Sequence, residues 1–235
     1  MPDIFQTTDG AGGALYEEAR RAGKFVTFGI SRLRMATDGG GVTTLVCGFG
    51  CPLRCRFCIN AQSWHAGTKV AAYTPRELYD ALCVDGLYFR ATGGGVTFGG
   101  GEPLLQWDFL PAFREVCGAD WKINMETSLQ APREVVAALV PVVDEWIVDA
   151  KDADTGRYKA YTGGDGAVMR ENLAFLLGAV DPARVLVRLP LIPGCNTDAD
   201  VAGSRERFAA LGATRFDCFK YRENDAGASL NEHKA

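Results

Sequence analysis

The residues of this chain that are best suited to chemistry are three cysteines in one short loop, Cys51-Pro-Leu-Arg-Cys55-Arg-Phe-Cys58. The loop has the spacing C-x3-C-x2-C and comes directly after a predicted strand. Three thiolates placed so closely can each bind one iron of a cubane [4Fe–4S] cluster. Because no fourth cysteine stands at a ligating spacing, one iron is left without a protein ligand. Such an iron suits a cluster that binds a substrate, for example through the amino nitrogen and carboxylate of a methionine moiety.

Two other metal sites remain open for these cysteines. A zinc site would use the three thiolates and His65, although structural zinc usually draws its ligands as separated pairs. A structural cluster would need a fourth ligand, for which Cys47 is the nearest candidate. A disulfide framework is not expected in a chain of 235 residues without an export signal. The scattered cysteines are predicted to be small buried apolar residues, namely Cys83, Cys117, Cys195 and Cys218.

Glycines and charged residues at predicted strand ends form a second candidate group. In Gly99-Gly100-Gly101-Glu102, glycines allow the backbone to approach a ligand closely, and the glutamate can accept a hydrogen bond from an ammonium group. The same run also suits a tight strand-to-helix turn, and it lacks the third glycine of a dinucleotide fingerprint. Asp149 and Lys151 alternate along a strand and should point to one face. Buried opposite charges are costly unless they are paired or bind a ligand, so both interpretations remain open.

After residue 40, short β-rich runs alternate with amphipathic helical stretches. The predicted strands are Val42–Cys47, Gly95–Phe98, Lys122–Thr127, Glu145–Ala150, Arg184–Leu191 and Phe216–Tyr221. The predicted helices are Thr74–Tyr88, which opens with a capping box, Asp108–Cys117, Arg133–Val140, Val168–Ala179 and Asp198–Leu211. This alternation predicts a parallel sheet with right-handed crossovers. Six βα units are two short of a closed eight-stranded barrel, so the predicted fold class is α/β, an open partial (βα)6 barrel with active residues at the C-terminal strand ends.

The N-terminal segment, the net charge and the absence of long apolar runs in the sequence restrict the class of protein further. Residues 1–40 are predicted to be an N-terminal extension, with a helix and an extended segment, Phe25–Arg34, that leans on the barrel domain at 41–235. The net charge of −4 argues against broad nucleic-acid binding. No apolar run approaches the roughly 20 residues of a membrane helix, and no secretory signal is present. We therefore expect a cytoplasmic monomer that binds neither nucleic acid nor membranes.

The cysteine loop, with Phe57 before its last cysteine, resembles the radical S-adenosylmethionine (SAM) superfamily. Further runs resemble the glycyl-radical-enzyme activating enzymes, of which pyruvate formate-lyase activase is the best known. These runs are Asp38-Gly-Gly-Gly41-Val, Cys58-Ile-Asn60, Gly95-Val-Thr-Phe-Gly-Gly-Gly-Glu102-Pro-Leu-Leu-Gln106, Val148-Asp149-Ala-Lys151, Tyr161-Thr-Gly163 and Arg188-Leu-Pro-Leu-Ile-Pro-Gly194. The resemblance implies an anaerobic oxidoreductase of the radical SAM fold that uses SAM and a [4Fe–4S] cluster. In such enzymes a 5′-deoxyadenosyl radical, formed by reductive cleavage of SAM, abstracts a Cα hydrogen from a glycine of a partner glycyl-radical enzyme.

The resemblance also implies a set of site residues. Those expected to contact SAM are Phe57, Gly99, Gly100, Gly101, Glu102, Lys151 and Arg188. A monovalent cation is expected at Glu126, Thr127 and Asp149. Glu102 follows Cys58 by only 44 residues, so the ferredoxin-like module that many activases insert there is absent and one cluster is expected. No side chain is required as a general acid or base.

Three positions depart from the family pattern. Thr43 stands where an arginine is usual, Glu126 precedes Thr127 where an aspartate is usual, and Arg222 follows Tyr221 where a histidine is usual. Glu126 in place of aspartate would change the geometry of the cation site. Arg222 in place of histidine would change one contact to SAM or the substrate.

The expected partners are an electron donor and a protein substrate. Arg54 and Arg56 lie between the cluster ligands, where they either receive an acidic flavodoxin or ferredoxin or only offset the cluster charge. The 14 residues after Tyr221 offer no cap, so we expect the substrate protein to cover the open side. Two alternatives remain: a radical SAM enzyme acting on a small molecule or peptide, and a non-catalytic iron–sulfur electron carrier.

Overall fold

The computed structural model describes residues 11–35 and 37–221. Within them, the strands are β1 (Phe25–Met35), β2 (Val42–Gly48), β3 (Ala71–Tyr73), β4 (Gly95–Gly100), β5 (Lys122–Thr127), β6 (Glu145–Asp149), β7 (Val185–Leu191) and β8 (Arg215–Lys220). The α-helices are α1 (Ala11–Arg21), α2 (Pro75–Leu82), α3 (Gly86–Thr92), α4 (Phe109–Cys117), α5 (Arg133–Leu139), α6 (Thr155–Thr162), α7 (Gly166–Ala179) and α8 (Asp198–Ala210). None of these helices is long and apolar enough to cross a membrane.

All the strands belong to one open sheet with the order β3-β1-β2-β4-β5-β6-β7-β8. From β2 onward, each neighbouring pair is parallel and follows chain order, apart from the intervening β3. These six strands are the predicted ones, with bounds that shift by at most two residues. The carboxyl ends of parallel strands lie at the same edge of a sheet, which is where α/β proteins bind ligands. The predicted open partial barrel is confirmed.

Two antiparallel strands extend the sheet beyond the predicted six. β1 lies between β2 and β3 and pairs with both. The prediction that Phe25–Arg34 leans on the barrel is therefore wrong, because this segment is a member of the sheet. Phe25 is buried in the main core, whereas the next residue, Val26, is buried with Tyr16 of α1. Both faces of β1 are thus covered at its start, and Gln106 fixes the backbone there, donating to the Val26 carbonyl at 2.9 Å and accepting from the Val26 N–H at 2.7 Å.

The first predicted helix is divided in the structure. A 3-10 turn over Cys83–Asp85 separates α2 from α3. The turn brings the Asp85 carboxylate into the interior, where it accepts hydrogen bonds from Arg32 at 2.6 Å and Thr44 at 2.8 Å. A buried carboxylate needs hydrogen-bond donors of this kind. The 3-10 turn places Asp85 beside them, and it interrupts the helix in doing so.

One helix was not predicted at all. α6 has the sequence Thr-Gly-Arg-Tyr-Lys-Ala-Tyr-Thr and lacks a marked apolar face. Both ends of α6 nevertheless have common helix-capping residues. The Asp154 side chain accepts from the Arg157 N–H at the start, and Gly163, with φ of +74°, ends the helix in the left-handed conformation.

The loop at 37–41 enters the barrel between β1 and β2. The carbonyl of Asp38 accepts hydrogen bonds from Thr97 and Asn124, which point inward from β4 and β5, and its carboxylate pairs with Arg34. Gly39 has φ of +111°, and a Cβ there would lie 2.3 Å from the Asn124 side chain. The loop therefore fills part of the barrel. It also contains the predicted boundary between 1–40 and 41–235, a division that stays a prediction; residues 1–10, Arg222 and the remaining C-terminal residues lie outside the described residues.

Candidate active site

A cavity of about 220 Å³ opens at the carboxyl edge of the parallel strands. The cysteine loop forms one wall, and the ends of β4 to β8 form the others. The lining residues are Cys51, Leu53, Cys55, Phe57, Cys58, Ile59, Asn60, Gly100, Gly101, Glu102, Glu126, Thr127, Ser128, Asp149, Lys151, Arg188, Pro190, Phe219 and Tyr221. Of the site residues predicted from the sequence, only Gly99 is missing from this lining.

The cysteine loop has no regular secondary structure and is held by main-chain hydrogen bonds from a distant element. The Arg54 N–H donates to the Thr162 carbonyl at 2.8 Å, and the Arg56 N–H donates to the Tyr161 carbonyl at 2.9 Å. Both acceptors lie in the last turn of α6, where helical carbonyls lack intrahelical partners. The helix α6, which was not predicted from the sequence, therefore fixes the backbone of the cysteine loop.

Glu102 is buried at the end of β4 and is surrounded by donors. Its carboxylate accepts from Thr127 Oγ1 at 2.6 Å, from Ser128 Oγ at 2.6 Å and from the Ser128 N–H at 2.9 Å. Burial raises the pKa of Glu102, and these hydrogen bonds oppose the shift. Gly101, just before it, lies so close to the end of β2 that a Cβ would be 2.3 Å from the Gly50 carbonyl oxygen.

Lys151 and Asp149 form an ion pair on the cavity wall, with Lys151 Nζ 3.1 Å from Asp149 Oδ2. Burial disfavours the charged amine, but the Asp149 carboxylate keeps the pKa of Lys151 well above its ordinary value. The two side chains share a face, as predicted, yet not by strand alternation. β6 ends at Asp149, and Lys151 adopts φ of +63°, a left-handed conformation that is rare for a residue with a side chain.

Arg188 of β7 connects β5, β6 and β8 through its guanidinium. It donates to Glu126 and to the Thr37 carbonyl, and it lies 4.0 Å from Asp149 and 3.5 Å from Asp217. Burial, reinforced by the charge of Asp149, raises the pKa of Glu126 to about 7 despite the nearby guanidinium. Gly99 lies behind this pair, since a Cβ there would be 2.7 Å from Glu126 Oε2.

This arrangement can be compared with known proteins. Residues 45–202, well over half of the chain, match the Radical SAM superfamily. The chain belongs to the radical SAM superfamily. An isethionate sulfite-lyase activating enzyme from Nitratidesulfovibrio vulgaris is 28% identical, over 88% of this chain and 90% of the relative. A pyruvate formate-lyase-activating enzyme from Listeria monocytogenes is 30% identical, over 69% of this chain and 67% of the relative.

Solved structures agree on the fold. The Streptococcus suis protein SuiB, in the crystal structure with its precursor peptide SuiA, superposes with a TM-score of 0.58 at 16% identity. The overlap covers 76% of this chain and 39% of SuiB. The family match and the two activating-enzyme relatives confirm the predicted resemblance to radical SAM activating enzymes.

A radical SAM protein uses SAM and a [4Fe–4S] cluster, and the donor set of the cavity fits both. Three thiols lie on one wall, while His65 is exposed and Cys47 is buried within β2, both away from the cavity lining. Among the described residues, no three His, Cys, Asp or Glu side chains converge as ligands of a single ion would. Burial raises the pKa of the Cys58 thiol to about 11, and binding to iron would replace its proton. The cationic Lys151 suits the carboxylate of SAM.

The residues of the predicted cation site come together, but protein groups already hold their oxygens. Glu126 is paired with Arg188, and Asp149 with Lys151. Thr127 Oγ1 donates to Glu102 and accepts from the Leu129 N–H at 3.0 Å. The site therefore stays a prediction for this radical SAM protein.

Several cavity residues were not among the site residues predicted from the sequence, because none of them is charged or an obvious ligand. They are Leu53, Ile59, Asn60, Ser128, Pro190, Phe219 and Tyr221. The available signal was position, since Ser128 and Tyr221 directly follow the ends of strands and Asn60 follows a cysteine ligand. Phe57 was predicted, and its ring lies 5.4 Å from Tyr161 and 5.5 Å from Tyr221.

The departure at Thr43 has a structural counterpart. Thr43 is buried, and its hydroxyl has no hydrogen-bond partner among the residues described. Arg34 of β1 lies directly opposite it in the antiparallel register and pairs with Asp38. The neighbouring strand β1 thus supplies a guanidinium, that of Arg34, beside the loop at 37–41.

Proposed function

We propose that this radical SAM enzyme activates a glycyl-radical enzyme by abstracting a Cα hydrogen from one of its glycines. The observation that carries the proposal is the cavity with three cysteine thiols on one wall and Lys151, Arg188 and Glu102 opposite. When bound, SAM and a [4Fe–4S] cluster supply a 5′-deoxyadenosyl radical after one-electron cleavage of the sulfonium bond. The protein has to bind, orient and shield these groups.

The chain's own residues divide these tasks. Cys51, Cys55 and Cys58 hold the cluster and leave one iron open. Lys151 and Arg188, both about nine-tenths buried, bind the carboxylate or ribose region of SAM. Phe57, held between two tyrosine rings, covers the site from the side of the cysteine loop.

A protein substrate is supported by the mouth of the cavity. Ile59 is 64% exposed and Phe219 is 40% exposed, although both line the cavity. A small molecule inside the cavity would leave such apolar side chains in water, whereas an inserted loop of a partner protein would cover them. Glycine suits the tip of that loop, because the absence of a side chain lets its Cα approach closely. The relatives that are named as activating enzymes support the same class of substrate.

The proposal includes a flavodoxin or ferredoxin as electron donor and a cytoplasmic location. Arg56 is exposed within the cysteine loop, between Cys55 and Cys58. Arg54 stacks over Trp64, with its guanidinium carbon 4.9 Å from the ring centroid. A positive rim of this kind accelerates encounter with an acidic donor.

A monovalent cation at Glu126, Thr127 and Asp149 completes the proposal. It requires Arg188 or Lys151 to turn away when SAM binds. SAM cleavage should then depend on the identity of the added cation, compared at constant ionic strength in sodium, potassium and choline chloride. Identical rates in all three salts would remove the cation from the scheme.

The decisive experiment mixes the reconstituted enzyme anaerobically with SAM, reductant and a candidate lyase, starting with pyruvate formate-lyase and isethionate sulfite-lyase. Electron paramagnetic resonance should show a doublet on the lyase that collapses when its glycine is α-deuterated. Deuterium should then appear in 5′-deoxyadenosine. Cys58→Ser protein serves as the control without an intact cluster. Deuterium transfer only from a small metabolite would favour the small-molecule alternative, and reduction without SAM cleavage would favour the electron carrier.

A further inference from the structure

The two arginines of the cysteine loop are held very differently. Arg54 Nη1 donates to the Cys51 carbonyl at 2.7 Å and to the Leu53 carbonyl at 2.7 Å. Its guanidinium carbon also lies 4.9 Å from the centroid of the Trp64 ring. Arg56 is exposed, and its side chain makes no hydrogen bond, ion pair or ring contact with any other residue that the structure describes. The charge of Arg54 is therefore fixed within the loop, whereas that of Arg56 is free to move in water.

The tryptophan that receives Arg54 is itself fixed to the base of the loop. Trp64 ends a 3-10 turn, Ala61–Trp64. The Ser63 carbonyl of this turn accepts from the Gly50 N–H at 2.7 Å. Because Gly50 directly precedes the first cysteine, the ring and the three cysteines share one anchor. A guanidinium is attracted to the negative face of an indole ring, so Trp64 restricts the position of the Arg54 charge.

The charge of Arg54 acts on all three cysteines of the loop. Partial burial lowers the pKa of the guanidinium, and negative charge on the three cysteines opposes that shift. A guanidinium nevertheless stays protonated in proteins, so its charge is permanent. No carboxylate in the described part of the chain forms an ion pair with Arg54, whereas the charge of Lys151 is offset by Asp149 at 3.1 Å. Arg54 thus supplies a fixed cation that no acidic side chain neutralises.

Reduction of a cluster bound to this loop, by one electron from a donor, adds one negative charge beside Arg54. A nearby positive charge stabilises the more negative state, and net charge is one of the properties that set the potential of an iron–sulfur cluster. We propose that Arg54 raises the reduction potential of the cluster, and that Trp64 is a positioning residue that holds the guanidinium in place. This role rests on the proposed function, because it requires a [4Fe–4S] cluster at the three cysteines. It leaves Arg56 to receive the electron donor.

The test is an anaerobic redox titration of reconstituted protein with small-molecule mediators and without SAM, followed by the electron paramagnetic resonance signal of the reduced cluster. Arg54→Gln keeps an N–H donor for the two carbonyls but removes the charge. Reduction should become about tenfold less favourable, which corresponds to a potential about 59 mV more negative for one electron. Arg56→Gln is the matched control and should change the equilibrium less than about twofold, since water and salt screen an exposed charge.

Variants of Trp64 test the positioning role. Trp64→Leu should make reduction about threefold less favourable, because the guanidinium loses the ring that fixes it, while Trp64→Phe keeps an aromatic face and should change the equilibrium less. A purely structural defect would lower the iron content without moving the potential of the clusters that form, so iron is measured alongside. The difference between wild type and Arg54→Gln should persist in about 0.5 M potassium chloride, because partly buried charges are screened less.

An Arg54→Gln potential equal to that of wild type, or an equal shift in Arg56→Gln, would overturn the inference. Should Arg54→Gln protein hold no cluster, Trp64→Leu decides alone, and an unchanged potential in that variant would overturn it. Wild-type protein that takes up no [4Fe–4S] cluster would instead contradict the proposed function.

Discussion

The contact between the ends of β2 and β4 leaves no room for a methyl group at Gly101. A Cβ there would lie 2.3 Å from the Gly50 carbonyl oxygen and 2.5 Å from the Gly48 carbonyl oxygen, distances that real Cβ atoms essentially never show. Gly101→Ala must therefore push these carbonyls away. The same two oxygens accept the hydrogen bonds that join the strand ends, from the Gly101 N–H at 3.0 Å and the Glu102 N–H at 2.8 Å.

The cost of Gly101→Ala follows from those two bonds. Leaving a buried donor unsatisfied costs about 1–3 kcal/mol, so two such losses should lower the free energy of unfolding by roughly 2–6 kcal/mol. The function should suffer as well, because Gly50 immediately precedes Cys51. Displacing it moves the cysteine loop relative to Glu102, and we expect SAM to bind about tenfold more weakly or worse.

Anaerobic urea unfolding measures the first effect, and equilibrium dialysis with SAM measures the second. Gly178→Ala in α7 is the matched control, because a Cβ there meets no atom within 4 Å. Gly178 lies in the last turn of α7, where alanine is still favoured over glycine, so this control should be at least as stable as wild type. A Gly101→Ala protein with wild-type stability and wild-type SAM affinity would refute the claimed contact between the strand ends.

Three further predictions concern charge and the cluster. Because the pKa of Glu126 is raised from 4.5 to about 7 in the folded protein, its contribution to stability should fall by up to roughly 3 kcal/mol as pH rises from about 4.5 to 7. Glu126→Gln should remove that slope, while Glu126→Asp should keep it; parallel urea-midpoint profiles for wild type and the glutamine variant between about pH 4.5 and 8 would contradict this. Arg56→Ala should slow flavodoxin-driven cluster reduction and weaken its dependence on salt, as followed by stopped-flow absorbance, and an unchanged salt dependence would exclude docking through Arg56. Cys58→Ser should abolish the [4Fe–4S] absorbance after anaerobic reconstitution, whereas Cys83→Ser should retain about four irons per chain; stoichiometric zinc in anaerobically purified wild type would contradict both expectations.

The sequence predicted those parts of the fold in which local pattern and tertiary packing agree. β5 was predicted to the residue because its alternating pattern matches its two faces, with Ile123 and Met125 in the core and Asn124 and Glu126 directed into the barrel. The same agreement applies to α7, in which the apolar residues Met169, Leu173, Leu176 and Leu177 recur at helical spacing and join the core. The cysteine loop was predicted because ligand spacing is itself a local property.

The remaining features depend on contacts between distant residues. β3 has three residues and becomes a strand only because β1 supplies its partner. The break at Cys83–Asp85 is set by Arg32 and Thr44, which no local pattern connects to Asp85. In the site, the sequence predicted which charged residues share the cavity but not how they pair. The Glu102 carboxylate accepts two of its hydrogen bonds from Ser128, a residue that carries no charge and follows a strand end.

The anchoring of the cysteine loop has a consequence for biogenesis. The carbonyls that hold Arg54 and Arg56 belong to Thr162 and Tyr161, more than one hundred residues later in the chain. When the three cysteines leave the ribosome, their anchors have not yet been synthesised. The loop gains its fixed shape only after α6 has formed and docked, so iron delivered earlier would meet three thiols on an unconstrained chain. Cluster insertion therefore belongs after synthesis, into a folded apoprotein, and protection of the two arginine amides from hydrogen exchange before iron is added would be its signature.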